Sequence, residues 1–260
     1  TQLAGTKLSS IVAVGARLKE VVEAVDELDR NARLRAVTGI VHARFVAIAI
    51  LLRRFDKAVR DRLLGRWERV TFRIFGIGDA DARNKVGDYV RLGYDIAQGK
   101  LTADEIDASL KTLGSDYGID KVLDQANWWD SYDGWTEELR YVLFRYDEYL
   151  ASKSGGSLNA NQWNQVWAAE PAQSIEHITP QSSGRSYIHH LGNLTVLPPG
   201  VNSSLRDKPP AKKAETYKTS GIRGTIQVGK RVEAAGKWTE EMILQRADEI
   251  IAFARKEWAD

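Results

Sequence analysis

The sequence predicts a mostly helical α+β chain. A helical region over residues 1–160 packs against a small module over 161–260, made of two strands and a helix and closed by a C-terminal helix. Three observations predict this. Apolar residues recur every three to four positions through the first half, the spacing of helix faces buried on a core. The stretch "SKSGGSLNANQ" (Ser152–Gln162) then breaks the pattern with clustered Gly, Ser and Asn, as a linker does. Beyond it come two short runs of Ile, Leu, Thr and Val bounded by Pro and Gly, which read as strands.

Leu8, Val12, Leu18, Val21, Val22, Val25 and Leu28 form the stripe of the first helix. Gly39–Val59 is more uniformly apolar in its middle and predicts one buried helix; Asp61–Phe75 and Ala82–Gln98 continue in helical spacing. Thr102 is placed to cap Ala103–Leu110, with Asp104 and Glu105 complementing the helix dipole. Trp135, Leu139, Val142, Leu143, Tyr146 and Leu150 line another helix, with Thr136 as its cap. After the linker, Gln173–Ile178 and Asn193–Leu197 predict strands, and Pro198-Pro199-Gly200 stops the second. Val201–Asp207 and Ala211–Ser220 predict short helices separated by Pro209-Pro210. Thr239 caps the closing helix Glu240–Trp258, which packs through Ile243, Ala247, Ile250, Ile251 and Ala254. Five of the eight tryptophans, Trp128, Trp129, Trp135, Trp163 and Trp167, cluster near the linker and predict an aromatic core between the two parts.

Composition narrows the functional classes. The 260 residues, 43% hydrophobic and 28% charged, suit one large or two modest soluble domains. The longest apolar run, Phe45–Leu52, ends at Arg53-Arg54, far short of the roughly 20 residues a membrane helix needs. The opening "TQLAGTKLSS" has no signal-peptide pattern and no initiator Met, which predicts a fragment or a processed or trimmed chain. Without cysteine, disulfides, thiolate zinc sites and cysteine nucleophiles are excluded, and a reducing cytoplasm is the natural compartment. The net charge of +2 hides an asymmetry: Ser182–Lys237 carries ten Lys/Arg against three Asp/Glu, whereas Leu101–Glu148 carries four against twelve. Such a basic block suits a phosphate-bearing partner, although a solvated charged face reads equally well from charge alone. Within it Arg185, Arg206, Lys208, Lys212 and Lys218 are candidate phosphate contacts.

"SIEHITPQ" (Ser174–Gln181) sets Glu176 and His177, one of only four histidines, side by side in an apolar run. "LGNLTVL" follows with Asn193 ahead of the second strand, and then a helix with Asn202 on its first turn. Cleaving a phosphodiester needs an activated water and an electrophile for the phosphoryl charge. A neutral imidazole can take the water's proton, while carboxylate and amide oxygens make a hard site suited to Mg²⁺. Successive residues of a regular strand point to opposite faces, so Glu176 and His177 share a site only if the strand ends there, and Pro180 is compatible with that. His42, in an apolar helix, reads as core, and His189 reads as exposed. Gly76-Ile77-Gly78 lacks the third glycine and flanking strand of a phosphate loop.

Glu-His-Ile-x-Pro-Gln, followed by His-x-Leu-Gly-Asn-Leu-Thr and a helical Asn, resembles the HNH (ββα-metal) endonucleases. More narrowly it is similar to the C-terminal nuclease half of GmrSD-type, modification-linked restriction proteins, a group that includes phosphorothioate-linked anti-phage effectors. The resemblance is close over Ser174–Ser220 and looser over the last helix, where Trp238, Ile243 and Arg246 are in place. It implies a helical region packed on a ββα-metal module. Glu176 and Asn202 would be the metal ligands, His177 the general base, and Asn193 the residue that holds the loop and ring of His177. Asn202 in place of a frequent His points to Mg²⁺ or Mn²⁺ rather than tightly bound zinc. Lys213 joins the candidate DNA contacts; His190 reads as a support of the site or a DNA contact, and equally as a loop histidine bonding backbone. Lys213 and Tyr217 form a Lys-x3-Tyr pair that the family also carries. The implied activity is Mg²⁺-dependent hydrolysis of double-stranded DNA, nicking first, with a homodimer or a second nick needed for a double-strand break. The implied partner is an N-terminal NTP-handling or modification-sensing domain outside this chain. Two other readings stay open: a catalytically degenerate DNA-binding module, and a helical regulatory or interaction domain.

Overall fold

A computed structural model describes residues 8–35 and 39–260. The chain divides into two compact units, Thr1–Asp124 with Trp258–Asp260, and Gln125–Glu257. In the first unit α1 (Leu8–Arg30), α2 (Ala32–Arg35), α3 (Val41–Leu52), α4 (Lys57–Thr71), α5 (Val86–Ala97) and α6 (Ala103–Leu113) gather around α3, and α7 (Ile119–Gln125) lies where the units divide. The single helix expected over Gly39–Val59 is two. Arg54 takes a positive φ of 51°, and Asp56 accepts the Val59 amide at 2.9 Å as N-cap of α4, so a local side-chain acceptor starts a new helix. α4 runs into a π-helical turn, Phe72–Ile77. Thr102 caps α6 as expected, and Glu105 bonds back to the Thr102 amide, completing a reciprocal capping box. His42 is buried edge-on between Phe75 and Tyr89, as expected of a core residue. Of the expected α1 stripe Leu28 is buried, as is Ala24, which was not part of it; Val12, Leu18 and Val22 are exposed, and the side chain of Leu8 lies outside the described residues.

The second unit carries α8 (Thr136–Lys153), α9 (Ala160–Trp167), α10 (Pro171–Ser174), β1 (Ile175–His177), β2 (Leu194–Val196), α11 (Pro199–Leu205), α12 (Pro210–Lys218), α13 (Arg223–Ala235) and α14 (Glu240–Glu257). The strands pair antiparallel, with Ile175 opposite Val196, Glu176 opposite Thr195 and His177 opposite Leu194. A two-stranded ribbon is marginal alone. Here α8 and α13 pack on β2, and α10 packs on β1. Below them Ile178, Leu197, Leu205, Tyr217, Val228, Val232 and Ile243 form the core.

The Gly/Ser stretch Ser152–Gln162 lies inside this unit, running from the end of α8 into the first turn of α9. α8 belongs with the strands because buried Asp147 accepts the Gly224 amide at 3.0 Å, at the start of α13, and Trp163 Nε1 at 2.9 Å. A carboxylate there complements the helix dipole. Thr136 is the first helical residue of α8 rather than its cap. α13 has no counterpart in the sequence expectations; its Val228 and Val232 face the core, and Gly236 ends it at φ 68°. The five clustered tryptophans all lie in the second unit: Trp163 and Trp167 pack edge-on against Phe144, Trp128 against Trp135, and Trp129 stays half exposed. Thr239 caps α14 through the Met242 amide.

α14 crosses the turn before β2 at very short range. Arg246 Nη1 donates to the carbonyls of Leu191, Gly192 and Leu194 at 3.4, 3.2 and 2.7 Å. A Cβ on Gly192 would lie 1.8 Å from the Ile243 carbonyl oxygen, so only glycine fits without moving backbone. Gly192→Ala is therefore expected to cost about 3 kcal/mol or more, read as a lower urea midpoint. A parental midpoint would contradict the close approach.

Candidate active site

The site is built outward from β1. That strand is three residues long and ends at His177, so Glu176 and His177 escape strict alternation and line the same cleft. Its volume is about 720 Å³, and Asn202, Tyr132, Gln181 and Arg206 also line it.

Glu176 is buried. Its Oε1 accepts Lys213 Nζ at 2.8 Å and Tyr217 OH at 2.6 Å. Lys213 and Tyr217 sit one turn apart on α12, so both reach back to the same oxygen. These bonds leave Oε2 as the carboxylate's other acceptor. Burial pushes the Glu176 carboxyl up, while the Lys213 charge and the two donors pull it down.

Asn202, on the first turns of α11, donates its amide nitrogen to the carbonyls of Gln173 at 2.9 Å and Ile175 at 3.0 Å. Both amide hydrogens are thus engaged, and Oδ1 is the atom left to accept or ligate. Glu176 Oε2 and Asn202 Oδ1 could therefore hold a hard divalent cation between them.

His177 is buried, and both its ring nitrogens have partners. Nε2 lies 3.2 Å from His189 Nδ1, and Nδ1 lies 3.2 Å from Gln181 Nε2. Tyr132 stands edge-on at 4.7 Å. Burial, reinforced by repulsion from His189 and Lys213, pushes His177 down to about 3, so the ring is neutral at pH 7 and keeps a lone pair.

Asn193 is fully buried. Its Oδ1 accepts the Thr179 amide at 2.8 Å, and its Nδ2 donates to the carbonyls of Thr179 and Ile188 at 3.1 and 2.9 Å. It holds the loop after β1. The ring of His177, which was also expected to depend on Asn193, is held by His189 and Gln181 instead, because the amide of Asn193 is saturated by backbone.

Of the expected DNA contacts, Arg206 stands on the cleft wall with a φ of 47°, and Arg185, Lys208 and Lys212 are exposed. Two others face inward. Lys213 is 1% exposed and donates to Glu176 and to the carbonyls of His177 at 2.7 Å and Ile178 at 3.4 Å, so its ammonium is saturated inside the protein rather than offered to a phosphate. His190 is 3% exposed, accepts the Gly192 amide at Nδ1 and meets Trp129 edge-on; it closes the turn before β2. Sequence reading missed Tyr132 and gave His189 a solvent position, whereas His189 is half-buried against His177. The adjacent His189-His190 pair was the only available signal, and Tyr132 comes from a distant loop with none.

Lys213→Met would strip the partner from a buried carboxylate and is expected to cost about 3–5 kcal/mol. Adding Glu176→Gln should recover part of that loss, as a double-mutant cycle in urea would show. Additive losses would contradict the pairing.

No curated protein and no solved structure shows significant similarity to the chain. Residues 117–253 match the model of the family described as GmrSD restriction endonucleases, C-terminal domain. The match spans more than half of the chain and includes both strands, the Glu176–His177 pair, Asn193 and Asn202. The chain belongs to the family of GmrSD restriction endonuclease C-terminal domains.

Proposed function

We propose that β1, β2 and α11 form a ββα-metal (HNH) nuclease site that hydrolyses phosphodiesters of double-stranded DNA with Mg²⁺, or Mn²⁺ in its place. The observation that carries this reading is the convergence of Glu176, His177 and Asn202 on one cleft, with one oxygen of each ligand left over by its protein bonds. Restriction endonuclease membership supports nuclease chemistry and DNA as the substrate.

The donor set fits such a cation. It offers one carboxylate oxygen and one amide oxygen, and Lys213 offsets much of the carboxylate's charge. A site so weakly anionic suits a metal that keeps several waters and takes substrate phosphate as a ligand. When bound, the cation supplies positive charge to the phosphoryl and leaving oxygens. The rest falls to the chain's own residues. His177, neutral before substrate arrives, takes a proton from the attacking water. The incoming phosphate's negative charge raises the imidazole's proton affinity at the moment it is needed. Asn193 keeps the loop after β1 from relaxing, and Arg206 meets phosphates at the cleft wall. One set of residues per chain nicks one strand; a second nick or a homodimer gives a double-strand break. An N-terminal NTP-handling or modification-sensing domain would supply selectivity.

The degenerate-centre reading is favoured by one observation, that both ring nitrogens of His177 are occupied. Relaxation of supercoiled plasmid separates the two. The parent is expected to produce open circles in Mg²⁺ and none in EDTA. His177→Ala should lower the rate by at least roughly 10²-fold while leaving plasmid retention unchanged. A His177→Ala protein that nicks like the parent, or a parent that binds and never nicks, would contradict the proposal.

A further inference from the structure

His189 has no role in the reading above, yet its ring meets the proposed base nitrogen to nitrogen. His177 Nε2 and His189 Nδ1 are 3.2 Å apart, so exactly one of them carries the proton between the two rings. Two observations bear on which. Asp130, Asp133 and His189 each bring a ligand atom within 4.8 Å of the others, and a neutral His189 that turns its N–H toward this acidic side keeps Nδ1 as an acceptor toward His177. On the other side of His177, Gln181 presents its amide nitrogen, a donor, to Nδ1, which suits an unprotonated Nδ1. Gln181 also lines the cleft and is exposed, whereas His189 does not line it. The Nδ1 edge of His177 is therefore the edge that substrate can reach.

We propose that His189 is a positioning residue: it accepts the Nε2 proton of His177 and so fixes the tautomer in which Nδ1 faces the cleft as the proton acceptor. The inference rests on His177 being the base. Water's proton passes to Nδ1 as its oxygen bonds phosphorus. The substrate's P–O ester bond breaks with its electron pair on the leaving oxygen, which takes a proton from solvent. The imidazolium formed keeps its Nε2–H on His189, with Asp130 and Asp133 offsetting the new charge. Gln181 must leave Nδ1 for this, and an exposed side chain on a single 3.2 Å contact can. His189 cannot drift as easily. Tyr132 stacks on its ring at 5.2 Å with 16° between planes, and its carbonyl accepts the Ser131 amide at 2.9 Å.

The test uses the full chain with ¹⁵N-labelled histidine, in which four side chains give a resolvable long-range ¹H–¹⁵N spectrum. The parent is expected to show His177 protonated at Nε2. His189→Leu should mix the tautomers and lower kcat for plasmid nicking by roughly 10²-fold with KM unchanged. His189→Asn, which keeps an acceptor near the Nδ1 position, should hold the tautomer and stay within about tenfold of the parent. A proton on Nδ1 of His177 in the parent, or a His189→Leu protein with parental kcat, overturns the proposal. A parent with the Nε2–H tautomer but no cleavage contradicts the nuclease reading and leaves the His189 assignment standing.

Discussion

A buried carboxylate tied to an ammonium and a phenol organises the second unit. Glu176 Oε1 takes both Lys213 and Tyr217, and Lys213 continues to the carbonyls of His177 and Ile178. One lysine thereby joins α12 to the end of β1. Burying such a pair gives no clear stability advantage over apolar packing of the same shape. What it does give is direction: with Oε1 saturated, the carboxylate cannot rotate freely, and Oε2 has a fixed aim. The pair also lowers the anionic character of the site.

Strands of three residues cannot hold a hairpin in register by themselves, so side chains do much of that work. Asn193 ties the loop after β1 to the segment before β2, Asn202 ties α11 to β1, and Arg246 gathers three carbonyls around the turn into β2. Thr225 on α13 reaches the Val196 carbonyl at 2.7 Å and the Thr195 hydroxyl at 2.8 Å. Each is a polar side chain serving buried backbone groups, which are costly to leave unpaired. Rigidity of this kind holds the side chains that line the cleft in fixed geometry.

The candidate site residues stood out in the sequence. Glu176, His177, Asn193 and Asn202 were identifiable because each residue type is unusual in its setting: an acid and an imidazole in an apolar strand, an amide before a second strand, an amide in a first helical turn. Caps such as Thr102 and Thr239 were legible because capping is local. What failed to show depends on contacts between distant segments. Lys213 and His190 looked like surface residues because no local pattern marks a lysine or histidine that turns inward. α13 was hidden by Gly224 and Gly229, which weaken a helical signal; Gly229 is there because a Cβ would come within 2.8–2.9 Å of the Lys218 amide and Ala214 carbonyl of α12. α8 appeared to belong to the region before the Gly/Ser stretch; its packing on β2 and α13, and the bond from Asp147 to the start of α13, place it with the strands.

The central claim is that Glu176 and Asn202, 26 positions apart in the chain, share one divalent cation. Crystals of the protein grown with Mn²⁺ and a non-cleavable duplex, with data collected to give anomalous signal from manganese, test it most directly. The account predicts a single strong peak bonded to Glu176 Oε2 and Asn202 Oδ1, with a phosphate oxygen completing its shell. Manganese seated elsewhere, for instance among Asp130, Asp133 and His189, with none between Glu176 and Asn202, would contradict it.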